Sequence, residues 1–225
     1  MRAMILAAGR GERMRPLTDT TPKPLLMVNG KPLIVYHLEK LAEQQVQTVV
    51  INHAWLGHNI VDALGDGHKF GLNIVYSAEP AGGLETAGGI IRALPLLGDA
   101  PFWVINGDIF TDFDFAQLPR ELASETQAHL LMTTNPLHNR GGDFGIYKQR
   151  LTLVQDTAPT YTYTGMGLYS PRLFSMYKSG QEQFVRLRPI LDQAVAEQRI
   201  AASIIDADWT DVGTPERLQQ LQEHP

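Results

Sequence analysis

The first half of the chain alternates short apolar runs with amphipathic segments, and this alternation limits the possible folds more than any other feature. Four runs rich in β-branched residues have the pattern of buried parallel strands: 2–7, 48–52, 72–77 and 102–107. Three intervening segments carry apolar residues at helical spacing: 32–41, 55–64 and 84–97. This βαβαβαβ order predicts a parallel sheet covered by helices, which binds ligands at the carboxyl ends of its strands.

The second half is less regular. A further strand is predicted at 129–134, and alternating segments at 144–156 and 161–170 favour antiparallel strands. Helices are predicted at 189–198 and 215–223, each beginning at a proline. Together these patterns predict an α/β fold: a single Rossmann-like domain over 1–225, with a mostly parallel central sheet flanked by helices and a small antiparallel region in the second half.

Composition excludes several kinds of protein. The chain has no cysteine, which rules out disulfides, thiolate catalysis and cysteine-ligated metals. Its formal net charge of -5 argues against nucleic acid or a membrane surface as partner. With no signal peptide and no apolar stretch near the roughly 20 residues that span a bilayer, we expect a cytoplasmic protein. The sequence leaves its oligomeric state open.

A glycine-rich, basic loop follows the first strand. Gly9 and Gly11 allow backbone amides to approach a ligand closely, as phosphate binding requires. The dinucleotide fingerprint fails because Met14 stands where its third glycine belongs, and the P-loop pattern has no match. Any single basic residue of the loop is adequately explained as a solvated surface charge. The combination favours a triphosphate ligand: Arg10, Arg13, Arg15, Lys23 and Lys31.

The stretch LAAGRGERMRPLT, followed by PKPL, resembles the signature of the sugar-1-phosphate nucleotidyltransferases. The resemblance implies that the loop holds a nucleoside triphosphate through Leu6, Ala7, Ala8, Gly9 and Gly11. It further implies that Arg13 contacts the phosphates and that Lys23 steadies the α-phosphate and the incoming sugar phosphate. Arg13 and Lys23 are therefore the predicted catalytic residues, and both also belong to the predicted nucleotide site.

Two aspartates are the predicted metal ligands. Asp108 ends the run FWVINGD, and Asp211 lies in DWTDVGTPERL. Either residue alone is explained equally well as a turn or helix-capping residue. Both motifs resemble the metal-carboxylate motifs of the same family, which implies that Asp108 and Asp211 bind Mg²⁺ as cofactor and that Asp108 also borders the nucleotide.

The segment EPAGGLETAGG, residues 79–89, brings exposed glycine backbone to the start of a predicted helix. It is explained structurally by a loop followed by a small-residue helix packed on the sheet. In the family the equivalent loop recognises the nucleobase, which implies base contacts from Glu79, Gly82 and Gly83.

Phrases such as VINHAWLG, NGDIFTDFDFAQL and DVGTPERL resemble the bacterial N-acetylmuramate-1-phosphate uridylyltransferases of peptidoglycan recycling. This resemblance implies UTP and N-acetylmuramate 1-phosphate as substrates. Residues 1–118 would then mainly bind nucleotide, and 119–225 would mainly bind sugar and supply the second metal carboxylate. The predicted sugar contacts are Asn106, Asp143, Gly145, Thr164 and Gly165.

The lactyl carboxylate of muramate requires a cation or amide donors beyond those that a neutral sugar needs. Four residues of the second half are candidates for the cation: Arg140, Lys148, Arg186 and Arg188. The lysine of the E-K-P motif found in many family members is missing from 154–170. Three alternatives stay open: a mannose-1-phosphate guanylyltransferase, a glucose-1-phosphate uridylyltransferase, and a nucleotide-sugar binding module without turnover.

Overall fold

A computed structural model describes residues 1–154 and 159–223. Residues 155–156 of the predicted strand segment and 224–225 of the predicted domain lie outside this range. The described residues form five α-helices: α1 (Leu33–Glu43), α2 (Gly57–Leu64), α3 (Glu85–Leu97), α4 (Leu187–Ala196) and α5 (Pro215–Glu223).

Thirteen strands are present in the described residues. In chain order they are β1 (Arg2–Leu6), β2 (Met27–Val28), β3 (Lys31–Pro32), β4 (Thr48–His53), β5 (Asn73–Ala78), β6 (Phe102–Asn106), β7 (Ile109–Thr111), β8 (Ala128–Thr133), β9 (Phe144–Tyr147), β10 (Arg150–Thr152), β11 (Thr160–Tyr169), β12 (Ile200–Ile204) and β13 (Trp209–Asp211). The strands and helices predicted in the first half are confirmed, with boundaries shifted by one or two residues.

Nine strands form one sheet in the order β5-β4-β1-β6-β11-β8-β12-β10-β9. The first four are mutually parallel, with Ile5 of β1 opposite Ile51 of β4 and Ile105 of β6. Apolar runs joined by amphipathic helices pair in this way because a crossover helix returns the chain to the end of the sheet where the previous strand began. The next strand then runs in the same direction. The α/β fold is confirmed, and the four parallel strands are the part that the sequence pattern defined best.

The second half extends the same sheet with antiparallel pairs. Strand β11 runs antiparallel to β6 and β8, and β9 pairs with both β10 and β11. Strand β12 is parallel to β8 and antiparallel to β10. The five strands β11, β8, β12, β10 and β9 therefore form a closed ring of pairings. This region is larger than the small antiparallel region expected, because β11 is ten residues long and pairs along both of its edges.

One predicted helix boundary is wrong. Helix α4 begins at Leu187, two residues before Pro189, rather than at the proline. A proline in the first helical turn costs no intrahelical bond, since the first four amides of a helix have no partner there. Helix α5 does begin at its proline, Pro215.

Apolar side chains fill both faces of the parallel strands. Met4 of β1 packs in the cluster formed with α3 and α4, whereas its neighbours Ala3 and Ile5 pack in the cluster formed with α1 and α2. Strands buried on both faces explain why the sequence shows continuous apolar runs rather than alternation. No helix in the described part of the chain is long and apolar enough to cross a membrane.

A third, smaller cluster joins the glycine loop to the end of the described chain. It is formed by Met14, Leu26, Val28, Leu33, Val212 and Leu218. Helix α5 supplies Leu218, and its Gln222 donates a hydrogen bond to the backbone oxygen of Met27 at 3.1 Å. The loop that follows β1 is therefore packed against a segment nearly two hundred residues away in sequence.

Candidate active site

A cavity of about 360 Å³ opens at the carboxyl ends of β1, β4, β5 and β6. This is the edge of the parallel sheet at which the sequence predicts a ligand site. Its walls are Leu6, Ala7, Ala8, Gly9, Arg10, Lys23, Pro24, Asn52, Glu79, Gly82, Gly83, Leu84, Glu85, Thr86, Asn106, Asp108 and Phe184. Of the predicted nucleotide residues, only Gly11 and Arg13 do not line it.

The glycine loop is folded tightly on itself. Gly11 has φ of 67°, and a Cβ there would lie only 3.0 Å from the Thr18 methyl group, so both the backbone and the space favour glycine. The Thr18 hydroxyl donates to the Gly11 carbonyl at 2.8 Å. Arg10 stacks on the Trp55 ring, 3.8 Å from its centroid, and donates to the Thr18 carbonyl. These contacts hold a guanidinium at the cavity wall.

Asn52, at the end of β4, joins the glycine loop to the loop after β5. Its Oδ1 accepts from the Ala7 amide at 2.9 Å, and its Nδ2 donates to Glu79 Oε1 at 2.6 Å. Glu79 Oε2 accepts in turn from the Leu84 amide at 2.8 Å. Burial raises the pKa of Glu79, and these two hydrogen bonds oppose that shift. The sequence reasoning missed Asn52, although an amide at the end of an apolar strand was a usable signal.

Lys23 and Asp108 form an ion pair inside the cavity, with Nζ 2.6 Å from Oδ2. The lysine is only 8% exposed. A short 3₁₀ turn, Lys23–Leu25, directs it inwards, and Asp108 occupies the turn after β6. A nearly buried ammonium is stable here because the carboxylate compensates its lost hydration. The two residues predicted to serve the phosphates and the metal thus lie in direct contact.

Asp211 lies next to Asp108 on a two-stranded ribbon. Strand β13 pairs with β7 so that Asp211 is opposite Ile109, and the Val212 amide donates to the Asp108 carbonyl at 2.8 Å. Arg217 Nη1 lies 2.5 Å from Asp211 Oδ2. This register brings two carboxylate-bearing segments, far apart in sequence, to one edge of the site.

Arg13 is exposed and lies beside this ribbon. A Cβ built on Gly213 would lie 2.8 Å from Asp211 Oδ2 and 3.5 Å from an Arg13 Nη atom. Arg13 therefore belongs to the Asp211 side of the site, outside the cavity wall. The third predicted loop arginine, Arg15, is bound to Asp19 at 3.1 Å.

The two aspartates have the chemistry that Mg²⁺ requires. Asp211 Oδ1 is buried and has no hydrogen-bond partner among the described residues; His138 Nε2 lies 2.8 Å away but off the direction of a hydrogen bond. No group of three or more histidine, aspartate or glutamate side chains is placed to hold a metal within 1–154 and 159–223. Mg²⁺ is commonly held by one or two carboxylates together with substrate phosphates, so this pair fits it.

Only one of the predicted sugar contacts lines the cavity. Asn106 lines the cavity and its side chain packs against Gly165, where a Cβ would lie 2.6 Å from Asn106 Nδ2. Thr164 is fully buried and donates to the Leu131 carbonyl at 2.8 Å. Asp143 accepts from the Tyr163 amide at 2.8 Å, and Gly145 lies on β9. Of the five predicted contacts, four do not line the cavity: Asp143, Gly145, Thr164 and Gly165. Their role in sugar binding stays a prediction.

Several wall residues were absent from the predicted site. They are Arg10, Pro24, Asn52, Leu84, Glu85, Thr86 and Phe184. Phe184 is 65% exposed, and Glu85 has φ of 62°, a conformation that non-glycine residues seldom adopt. Phe184 had no local signal in the sequence, because only the folded chain brings its segment to α3.

The fold and the cavity together define an α/β protein with a polar ligand site at the ends of its parallel strands. The family model described as nucleotidyl transferase matches residues 2–224. A protein of Neisseria meningitidis serogroup B named N-acetylmuramate alpha-1-phosphate uridylyltransferase is 50% identical over 99% of this chain and 97% of its own length. The chain therefore belongs to the nucleotidyl transferase family.

Two further likenesses agree with this family. A protein of Caulobacter vibrioides, also named N-acetylmuramate alpha-1-phosphate uridylyltransferase, is 33% identical over 95% of this chain and 92% of its own length. A Bacillus anthracis crystal structure, described as a glucose-1-phosphate thymidylyltransferase in complex with sucrose, superposes with a TM-score of 0.81. Its identity is 22% over 99% of this chain and 94% of that one, so it supports the fold alone.

Proposed function

We propose that the protein transfers a uridylyl group from UTP to N-acetylmuramate 1-phosphate, giving UDP-N-acetylmuramic acid and pyrophosphate in peptidoglycan recycling. The observation that carries the proposal is the 50% identity, over nearly the full length of both chains, to a relative named for this activity. The glucose and mannose alternatives are less favoured, because relatives with those names are 25–28% identical over nearly all of this chain or 38% identical over about half of it.

The reaction is an in-line displacement at phosphorus. An oxygen of the sugar phosphate bonds to the α-phosphorus of UTP, the bond from that phosphorus to the β-phosphate oxygen breaks, and pyrophosphate leaves with the electron pair. A phosphate monoester has its second pKa near about 6, so the attacking oxygen is already ionised at neutral pH. The protein therefore needs no general base, and catalysis rests on alignment and on charge stabilisation.

The roles follow from chemistry and position. The glycine loop and Gly82–Gly83 bind the nucleotide, and Lys23 turns from Asp108 towards the α-phosphate. Arg13 neutralises the leaving phosphates from the Asp211 side. Asp108 and Asp211 would hold Mg²⁺, which supplies Lewis-acid charge stabilisation when bound. Residues 1–118 mainly serve the nucleotide, and the later residues serve the sugar and contribute Asp211. A need for UTP supports action in the cytoplasm.

A non-catalytic nucleotide-sugar binding module is the alternative of a different class. Such a module has no need for the four residues assigned to charge stabilisation, yet all are present: Arg13, Lys23, Asp108 and Asp211. The ion pair of the buried Lys23 with Asp108 is also unexpected in a module that only binds, since an uncharged contact would avoid the cost of desolvating the ammonium.

The test is a pyrophosphate-release screen. The purified protein is incubated with each of the four common nucleoside triphosphates and with muramate, glucosamine, glucose or mannose 1-phosphate, the two amino sugars being N-acetylated. We expect the highest kcat/KM for UTP with N-acetylmuramate 1-phosphate, and loss of turnover on chelation of divalent ions. A preference for GTP with mannose 1-phosphate would refute the substrate assignment, and absence of turnover with every pair would refute transferase activity.

A further inference from the structure

The carboxylate of the proposed acidic sugar needs a cation or amide donors at the edge of the cavity. This requirement rests on the proposed function, because only the lactyl ether of N-acetylmuramate 1-phosphate distinguishes that substrate from N-acetylglucosamine 1-phosphate. The two cations of the cavity wall are already engaged, Lys23 by Asp108 and Arg10 by Trp55, Thr18 and Asp19. A cation that meets the lactyl group is therefore a further basic residue.

The fold separates the four candidates named above. Arg188 lies 2.7 Å from Asp192 and packs over the Phe144 ring, so it is bound within its own surroundings. Lys148 lies over the exposed Tyr147 ring at the β9–β10 turn. Within 1–154 and 159–223, the Arg140 side chain makes no hydrogen bond or ion pair with a wall residue of the cavity. Arg186 alone has a contact that links it to the cavity wall within the described residues.

Arg186 belongs to a segment that crosses the start of α3. The Val185 amide donates to the Leu84 carbonyl at 3.0 Å, and the Gly88 amide donates to the Val185 carbonyl at 3.0 Å. A Cβ on Gly88 would overlap the Gln183 backbone oxygen, so only glycine permits this close approach. Residues 183–186 are thereby fixed at the cavity edge and are called the rim segment below.

The Arg186 side chain is held there loosely. Its Nε lies 3.7 Å from Glu85 Oε1, too far for a hydrogen bond, and the side chain is 71% exposed. Phe184, two residues earlier, forms part of the cavity wall. The guanidinium is thus close to the cavity and has hydrogen-bond donors available for an incoming carboxylate, which it can grip with two parallel bonds.

Glu85 supports the same assignment. It lines the cavity at a φ of 62°, a left-handed conformation that is unfavourable for an L-residue. Strained residues of this kind persist where the surrounding structure fixes them, and they concentrate at ligand sites. The Glu85 carboxylate, 3.7 Å from the Arg186 Nε, attracts the guanidinium to the cavity edge without saturating it.

We propose that Arg186, fixed on the rim segment and attracted by Glu85, binds the lactyl carboxylate and thereby selects the acidic sugar. Arg186 is a specificity-determining residue in this scheme, and it takes no part in the displacement at phosphorus. The favoured sugar carries its negative charge on a side group of the ring, away from the phosphate.

The test compares two sugars in matched variants. Steady-state kcat/KM is measured with UTP and either N-acetylmuramate 1-phosphate or N-acetylglucosamine 1-phosphate, for wild type, Arg186→Met, Arg186→Lys, Arg140→Met and Arg188→Met. Loss of a bidentate charged contact is expected to lower kcat/KM for the muramate substrate by about 10- to 100-fold in Arg186→Met, mainly through KM, while the glucosamine value changes by no more than about twofold. Arg186→Lys should recover part of the loss.

The outcomes separate the two hypotheses. A wild type that does not use N-acetylmuramate 1-phosphate refutes the proposed function and this inference together. A wild type that prefers it, with Arg186→Met equally impaired on both sugars or unimpaired on both, refutes the inference alone. A loss specific to the muramate substrate in Arg140→Met or Arg188→Met, but not in Arg186→Met, also refutes the inference. Thermal melting of each variant shows whether a uniform loss of activity reflects misfolding.

Discussion

At the scale of single residues, the site depends on polar side chains that buried strands deliver to their carboxyl ends. Asn52 is 3% exposed and uses both its acceptor and its donor, to Ala7 and Glu79. Such a residue connects the glycine loop to the loop after β5. It thereby keeps the backbone of both loops in place before any ligand arrives, which lowers the entropic cost of binding.

Asn52→Ala should loosen both loops. The Ala7 amide loses its partner and the Glu79 carboxylate loses one of its two donors, so we expect a loss of about 2 kcal/mol in the free energy of unfolding. The KM for the nucleoside triphosphate should rise more than kcat falls. Urea unfolding and steady-state kinetics measure the two effects; an unchanged nucleotide KM would contradict the role given to Asn52.

Asp108→Asn should remove divalent-ion-dependent turnover. The amide keeps the size of the side chain but loses its charge, and a metal-stabilised transition state contributes several kcal/mol, so kcat should fall by about 100-fold or more. Asp112→Asn, an exposed aspartate four residues later, is the matched control and should behave like the wild type. Titration of activity against Mg²⁺ checks both variants, and equal effects in the two would contradict the assignment.

His37 makes stability depend on pH. It is buried, its Nε2 donates to the Ile109 carbonyl at 2.9 Å, and burial lowers its pKa from 6.5 to about 4. Between these values the unfolded chain binds more protons than the folded one. The stabilisation is therefore complete above about pH 6.5 and lost as pH falls towards 4, by roughly 3 kcal/mol in all.

The variant His37→Gln tests this dependence. The glutamine amide can donate to the same carbonyl but does not titrate, so its free energy of unfolding should vary less between pH 7 and pH 4 than that of the wild type. Urea titrations at half-unit steps of pH give the two slopes. Identical slopes would show that other groups control acid stability.

At the scale of elements, the approach of the rim segment to α3 depends on one glycine. Gly88 is a helical residue whose missing side chain lets the backbone of Gln183 lie against the helix. The sequence predicted α3 but not its neighbour. Local periodicity reports a residue's own element, and it carries no information about a segment that arrives from about a hundred positions away.

Gly88→Ala should displace the rim segment. The added methyl group meets backbone atoms, which cannot rotate away, and overpacking of this kind costs about 1–3 kcal/mol. Gly141→Ala is the control, because a Cβ there has no neighbour within 4 Å. The midpoint of thermal unfolding and the KM for the sugar phosphate should both change in Gly88→Ala only. A normal KM for the sugar phosphate in Gly88→Ala would show that the rim segment takes no part in sugar binding.

At the scale of the whole molecule, sequence and structure agree where interactions are local. The four parallel strands and their crossover helices were predictable because each carries its own periodic pattern. The cavity position followed from that topology, and Leu6, Asn106 and Asp108 were correctly expected at the strand ends. Phe184 was not expected, since its place depends on long-range packing. Asn52 was missed although its position near the end of a predicted strand was a local signal. The pairing of β9 with β11 has no signature in either strand alone.

Helix α5 shows such long-range packing most directly, and Leu218→Ala tests its contribution. Leu218 is 7% exposed and packs on residues of the glycine loop, so its truncation should cost about 2–5 kcal/mol. Protease cleavage within 12–28 should become faster than in Gln220→Ala, a control at an exposed position of the same helix. Unchanged protection of the loop would show that α5 does not stabilise it.

The closed ring of five strands has a consequence for behaviour at high concentration. In the large sheet, every described strand except β5 has both neighbours occupied, and an unpaired edge is where sheets of separate molecules join. At β5 the Ile74 amide is already bonded to the Asp66 carbonyl at 2.8 Å, so the preceding loop covers part of this edge. The large sheet therefore offers little template for intermolecular β-addition, and the protein should resist aggregation through it.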